Sequence, residues 1–242
     1  MSEQINQHAA TADFEFDALR QAANYRRALI AESAPYLGGK VIEIGAGIGQ
    51  MTELLEKIPA VTMLQSVEPD ARFSSQFKAN RPESPLIRGT IADVPGTDWN
   101  GLVSINVLEH IEHDQAELAA YARMLGEKQG LLVLFVPARP ELYGLIDKDF
   151  GHFRRYTKAE LRKKLTQAGF TVEHMRYYNI VGYFAWWLNF CLLKQRNFNQ
   201  ASVRLFDRLI FPVVHALETH ICPPPFGQSL LVVARAGRSR LS

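Results

Sequence analysis

Val41-Ile-Glu-Ile-Gly-Ala-Gly-Ile-Gly49 is the stretch on which the reading of this chain turns. An apolar run with one acidic residue near its end passes into glycines at every second position, and Gln50-Met-Thr-Glu-Leu-Leu55 follows. Such a run predicts a buried parallel strand that turns sharply into a helix, with glycine where the backbone must bend and where a ligand comes close. It is a loop of the nucleotide-cofactor type. The spacing Gly45-x-Gly47-x-Gly49 departs from the G-x-G-x-x-G of dinucleotide sites, in which a pyrophosphate rests on polarised helix amides. Glu43 would repel a pyrophosphate but can accept hydrogen bonds, directly or through water, from an ammonium group. The loop therefore favours a cationic ligand.

Working outward, Glu43-Ile-Gly-Ala-Gly-Ile-Gly49 resembles the first motif of class I S-adenosylmethionine-dependent methyltransferases, and further segments resemble that family in order. Val61-Thr-Met-Leu-Gln-Ser-Val67 predicts a second strand; Glu68 then stands 19 positions after Gly49, where an acidic residue can accept from both ribose hydroxyls. Pro69 suits the first turn of the helix expected next. Leu86-Ile-Arg-Gly-Thr-Ile91 resembles the family's third strand and adenine loop, which implies Thr90 and Ile91 against the adenine with Asp93 nearby. Leu102-Val-Ser-Ile-Asn-Val-Leu-Glu-His-Ile111 resembles the fourth strand and the segment after it, which implies Asn106 and Val107 beside the methionine half of the cofactor. Together these imply S-adenosylmethionine as cofactor and S-adenosylhomocysteine as its product, with Glu43, Gly45, Ala46, Gly47, Gly49, Glu68 and Pro69 forming the center of the site. His110 is expected to fix the turn after the fourth strand, and Glu109 and Glu112 to cap or solvate a helix; none of the three is given a catalytic role.

The chain has 242 residues, 47% of them hydrophobic, which suits one α/β domain with insertions and a sizeable core. Its 27 basic and 25 acidic side chains give a net charge of +2, which argues neither for nucleic-acid binding nor for disorder. Cys191 and Cys222 lack metal-ligand or disulfide-framework spacing, so no zinc site is indicated and no metal is assigned. The first eight residues lack the basic and apolar regions of a signal peptide, and a cytoplasmic location is expected.

Residues up to about Ala12 are polar and expected to be loose. Phe14 to Ala34 carries helical spacing and ends before Pro35 and Gly38-Gly39, as in the N-terminal helical cap of such enzymes. Tyr25 is expected to close over the cofactor and Arg26 to meet its carboxylate; ordinary packing and surface roles are the alternatives. Asp114-Gln-Ala-Glu117 has the pattern of a capping box, with Gly126 as the stop of its helix. Leu131-Leu-Val-Leu-Phe-Val136 predicts a fifth strand, Thr157-Lys-Ala-Glu160 another capping box, Phe170 to Asn179 a sixth strand, and Ser229 to Ala234 the last. The fold expected is a Rossmann-like seven-stranded, mostly parallel sheet with helices on both faces. One domain spans 1–242: a helical cap over 1–37, a cofactor core over 38–179, a helical lid insert over 180–226, and the last strand and tail over 227–242. The insert is expected to hold two helices, the second from about Ala201 to Ile221.

Cofactors of open α/β sheets bind beyond the carboxyl ends of the strands, so the segment after the fifth strand should face the reacting methyl group. It contains Gly151-His-Phe-Arg-Arg-Tyr-Thr157, which resembles a stretch recurring in generically described methyltransferases. Methyl transfer requires alignment, exclusion of water and removal of a proton from a hydroxyl or amine. His152 is the candidate base, with loop orientation as the alternative, and Asp147 or Asp149 could orient it unless they are merely solvated. Arg154 and Arg155 could clamp an anionic group, with pairing to a neighbouring acid as the alternative. Tyr156, Tyr183 and Trp187 complete the acceptor-side candidates, the last two from the aromatic insert.

The expectation is thus methyl transfer to a small organic acceptor, apolar, aromatic or lipid-like and with room for an anionic group. The partner is a small molecule and not a nucleic acid, and the chain works as a monomer or homodimer. Val181 to Leu193 is too short to span a bilayer, which needs about 20 apolar residues, and contact with a membrane surface is the less favoured role for it. The rivals are a cofactor-binding relative that does not methylate and, disfavoured by Glu43 and the glycine spacing, a nicotinamide-dependent oxidoreductase.

Overall fold

The computed structural model describes residues 20–195 and 199–238. Seven strands form one sheet: β1 (Gly39–Ile44), β2 (Val61–Val67), β3 (Leu86–Ile87), β4 (Gly101–Ile105), β5 (Leu131–Pro137), β6 (Phe170–Tyr178) and β7 (Ser229–Ala236). Their order is β3-β2-β1-β4-β5-β7-β6. The first five run parallel, and β7 is antiparallel to both β5 and β6. The mostly parallel Rossmann-like sheet is therefore as expected. The order reverses between β1 and β4, and the crevice between their carboxyl ends is where this architecture places ligands.

The alternation of residues along each strand divides the core into two layers. Ile42, Leu102, Leu132 and Val232 point to the face covered by α4 (Asp114–Gly126) and α6 (Lys158–Gln167), where they meet Leu118, Tyr121, Leu125, Leu161 and Leu165. Val41, Val103, Val133 and Phe135 point to the opposite face, covered by α1 (Ala23–Ser33) and α2 (Thr52–Leu55) with Leu29, Ile30 and Leu55. Burial of both faces explains why β5 is an unbroken apolar run.

Several local expectations need correction. Pro69 lies before the helix it was expected to open: α3 (Ala71–Asn80) is capped by Asp70, whose side chain accepts from the Arg72 amide. The capping box at Asp114 does not form, because Asp114 is already helical and its carboxylate turns to Tyr156, Arg154 and Lys164. Thr157 does cap α6, accepting from the Glu160 amide at 3.2 Å. The N-terminal cap expected from Phe14 is seen as α1, and the part before Arg20, with the loose segment up to Ala12, lies outside the described residues.

The insert contains two helical stretches. The first is α7 (Ile180–Trp186), continued by a wider π-type turn through Leu192; the second is α8 (Gln200–Leu205), a like turn over Phe206–Ile210, and α9 (Phe211–His220). Phe211 and Phe206 join the layer beneath α1, while Leu209, Val213 and Leu217 remain exposed. Among the described residues no helix is long and apolar enough to cross a membrane.

Candidate functional site

The turn after β1 adopts backbone that side chains resist. Gly45 has φ +72° and Gly49 φ +88°, and a Cβ at Gly45 would lie 2.3 Å from Val107 Cγ2. Two amides of the turn, Gly45 and Ala46, donate to the Val67 carbonyl at 2.9 and 3.0 Å, which ties the loop to the end of β2. There the buried Glu68 accepts from the Gly47 amide at 2.8 Å on one carboxylate oxygen and from the Asp70 amide at 2.9 Å on the other. Each oxygen keeps further lone pairs, so the anchored carboxylate is an acceptor set suited to a vicinal diol. Burial pushes its carboxyl above the usual range, against the two amides that favour the ionised form.

Glu43 takes a different place from the one the sequence suggested. It is 3% exposed, and its Oε2 accepts from Thr52 Oγ1 and Ser66 Oγ, both at 2.7 Å, so the carboxylate pins α2 and β2 to the underside of the turn. Burial raises its carboxyl to about 7, against the two hydroxyl bonds. Thr90 and Ile91 stand on the loop after β3, where Asp93 Oδ2 accepts from the Thr90 amide at 2.7 Å. Asn106 follows β4 with φ +52°, a conformation that Asn tolerates, and its amide donates to the Phe135 carbonyl at 2.8 Å. Arg26 Nη1 donates to the Gln50 carbonyl at 3.1 Å, placing this arginine beside the glycine turn.

The segment after β5 folds back through α5 (Leu145–Asp149), and the Phe153 amide donates to the Glu109 carbonyl at 2.8 Å, which brings His152 beside the turn after β4. His152 Nδ1 lies 3.0 Å from Asp147 Oδ1, and Arg155 Nε donates to that same oxygen at 2.8 Å. Asp147 is fully buried; burial pushes its carboxyl up, but His152 and the Arg155 charge outweigh this and hold it below the usual range. Asp147, one of the two aspartates offered as orienting groups, is thus bonded to the imidazole. The Arg155 guanidinium also stacks over Trp186, 4.5 Å from the ring centroid.

A cavity of about 730 Å³ opens at this point. Asn106, Glu109, His152 and Arg155 line it from the core, Tyr25 from α1, and Trp186, Phe190, Phe206 and Phe211 from the insert. Asn179, Asn189, Asn199 and Gln228 add further polar groups to a wall of mixed character. Its size and lining are those of a small-molecule site.

The cavity sorts the other candidates. Arg154 turns away, its Nη1 paired with Asp114 at 2.7 Å and its Nη2 donating to the Glu112 carbonyl. Tyr156 is fully buried in the core, where its hydroxyl lies 3.0 Å from Asp114 Oδ2. Tyr183 packs on Phe226 and Phe184 outside the lining residues. Trp187 is exposed, and its neighbour Trp186 faces the cavity instead. Adjacent helical residues point about 100° apart, so the tandem tryptophans gave no signal as to which would face inward. Glu109, expected to cap or solvate a helix, is fully buried and lines the cavity, because the turn after β4 folds inward beneath His152. The sequence held one hint of it: a carboxylate placed just after a central strand.

A family model described as a methyltransferase domain matches residues 17–175. No curated protein matches the chain in sequence. Among solved structures, an S-adenosylmethionine-dependent methyltransferase from Mesorhizobium loti is similar with a TM-score of 0.58 at 15% identity, covering 86% of this chain and 95% of that one. One from Archaeoglobus fulgidus has a TM-score of 0.57 at 17% identity, covering 86% and 92%. One from Thermotoga maritima has a TM-score of 0.60 at 14% identity, covering 98% and 100%.

Proposed function

The chain belongs to the methyltransferase-domain family, and from that premise we propose that it moves the methyl group of S-adenosylmethionine onto a small organic acceptor with a largely apolar body. The observation that carries the reading is a single cavity that joins Asn106, at the end expected to hold the cofactor, to His152 and the aromatic residues of the insert.

The residues present fit the cofactor. Glu68 offers anchored acceptor oxygens for the ribose hydroxyls, and the side-chain-free turn at Gly45, Gly47 and Gly49 lets a ligand approach the backbone. In this reading Thr90 and Ile91 serve the adenine and Asn106 and Val107 the methionine half, with Arg26, bonded to the Gln50 carbonyl, and Tyr25 contributing from α1. S-adenosylmethionine supplies a methyl group on a sulfonium centre already activated for displacement. The protein has to hold the acceptor in line, keep water out and receive a proton. Trp186, Phe190 and Phe206 enclose the acceptor. His152 is the base: Asp147 fixes its Nδ1 as the donor nitrogen, which leaves Nε2 as the basic one. We assign no anionic group to the acceptor, because Arg154 and Arg155 are each paired with an aspartate.

Incubation of the protein with isotopically labelled cofactor and a cell extract, followed by mass spectrometry, should reveal a metabolite heavier by one labelled methyl group. Calorimetry should show S-adenosylhomocysteine binding. Tight binding of a nicotinamide dinucleotide with none of S-adenosylhomocysteine would refute the reading.

A further inference from the structure

We infer that Glu109, His110 and His152 form a binding site for one divalent transition-metal ion on the wall of the acceptor cavity. A carboxylate oxygen of Glu109 and one ring nitrogen from each histidine all lie within 4.8 Å of one another. Small side-chain rotations bring such a set to the roughly 2.0–2.2 Å radius of metal coordination. The ligands come from two segments that are locked together: Glu109 and His110 from the turn after β4, His152 from the loop after α5, with the Phe153 amide donating to the Glu109 carbonyl at 2.8 Å.

What surrounds the three donors is the second reason. Ligating histidines characteristically hand their other ring nitrogen to a carboxylate or carbonyl, which fixes both tautomer and orientation. His152 does this through Nδ1 to Asp147 at 3.0 Å, and His110 is hydrogen-bonded to the backbone of Phe150. Their rings meet edge to face with centroids 4.6 Å apart, so the two imidazoles are held side by side rather than dispersed.

The donor set selects the ion. Two imidazoles and one carboxylate suit Mn2+, Fe2+ or Zn2+, whereas Mg2+ and Ca2+ prefer oxygen ligands throughout. Three protein ligands leave coordination positions open, and Glu109 and His152 both line the cavity, so those positions face the acceptor. With the ion bound, the remaining nitrogen of His152 is a ligand and takes no proton, so the base role proposed above belongs to the metal-free protein. That consequence rests on the methyl-transfer reading; the binding of the ion does not.

The test uses the full chain, stripped with a chelator, dialysed and titrated with Mn2+ alone under electron paramagnetic resonance. We expect saturable binding of one Mn2+ per chain, with spin-echo modulation from two imidazole nitrogens. Glu109→Gln and His110→Ala should each weaken binding at least about tenfold, with circular dichroism reporting whether they fold. The spin-echo measurement on the unaltered protein decides the matter if they do not. Absence of saturable binding below about 1 mM, absence of nitrogen modulation, or folded variants that bind as the parent does would overturn the inference. S-adenosylhomocysteine calorimetry on the same samples separates the two claims. Nucleoside binding without Mn2+ binding removes the metal site alone, and Mn2+ binding without nucleoside binding removes the methyl-transfer reading alone.

Discussion

His152 and Arg155 share one oxygen: Asp147 Oδ1 lies 3.0 Å from the imidazole Nδ1 and 2.8 Å from the guanidinium Nε. The carboxylate is fully buried and bears the charge that both neighbours require, so it sets the tautomer of the histidine and neutralises the arginine at once. Asp147→Asn should therefore lower turnover at least about 100-fold, and the Arg155 charge left behind should cost about 3 kcal/mol of stability. Steady-state kinetics with the identified acceptor and urea unfolding measure the two effects, and loss of neither would show that the shared oxygen is incidental.

His152→Ala should keep its affinity for S-adenosylhomocysteine within about twofold while losing about 100-fold or more in kcat. The imidazole lines the cavity, whereas Glu68 and the glycine turn are not among its lining residues. Undiminished turnover would remove His152 from the proton-handling role.

Glu68→Ala should weaken S-adenosylhomocysteine binding by about 100-fold, since hydrogen bonds to a charged group contribute about 1.5–3 kcal/mol each. The variant also loses the anchor on the Gly47 amide, so part of the effect is disorder of the turn. Calorimetry that returned parental affinity would mean that the nucleoside sits elsewhere.

Glu43 gives a pH signature. Its carboxyl is raised from 4.5 to about 7 in the folded state, so the folded protein binds the proton more tightly than the unfolded chain does. The stabilisation is complete below the unfolded value of 4.5 and fades as pH rises through about 7. Glu43→Gln mimics the protonated form at every pH. Relative to the parent it should gain on the order of 3 kcal/mol between pH 4.5 and pH 8. Urea midpoints of both proteins at the two ends of that range provide the measurement, and a constant difference between them would contradict it.

Trp186→Ala should raise the KM of the acceptor and cost about 3–5 kcal/mol of stability, because the ring is buried against Phe190 and beneath Arg155. Trp187→Ala should change stability by less than about 1 kcal/mol, as befits an exposed side chain. The opposite ranking would place the cavity on the wrong side of the helix.

The sheet was legible in the residues almost strand by strand. Unbroken apolar runs, glycines at the bend after β1 and an acidic residue at the end of β2 act locally, and local sterics and periodicity are written in neighbouring residues. That the segment after β5 borders the cavity was legible too, since ligands of open α/β sheets sit beyond the carboxyl ends of the strands.

Which polar groups meet depends on how the packed layers bring distant segments together. Asp207, from the insert, accepts from the Asn24 and Tyr25 amides at 2.9 and 2.8 Å, capping α1 from more than 180 residues away. Glu218 does the same for the amides of Asn179 and Ile180. Arg154 and Arg155, adjacent in sequence, go to different aspartates on opposite sides of the loop, and Glu109 turns inward where a solvated face was expected. A hydrogen bond or ion pair depends on angstrom-scale placement of groups distant along the chain. Nothing in the spacing of residues encodes that placement until the layers of the core have packed.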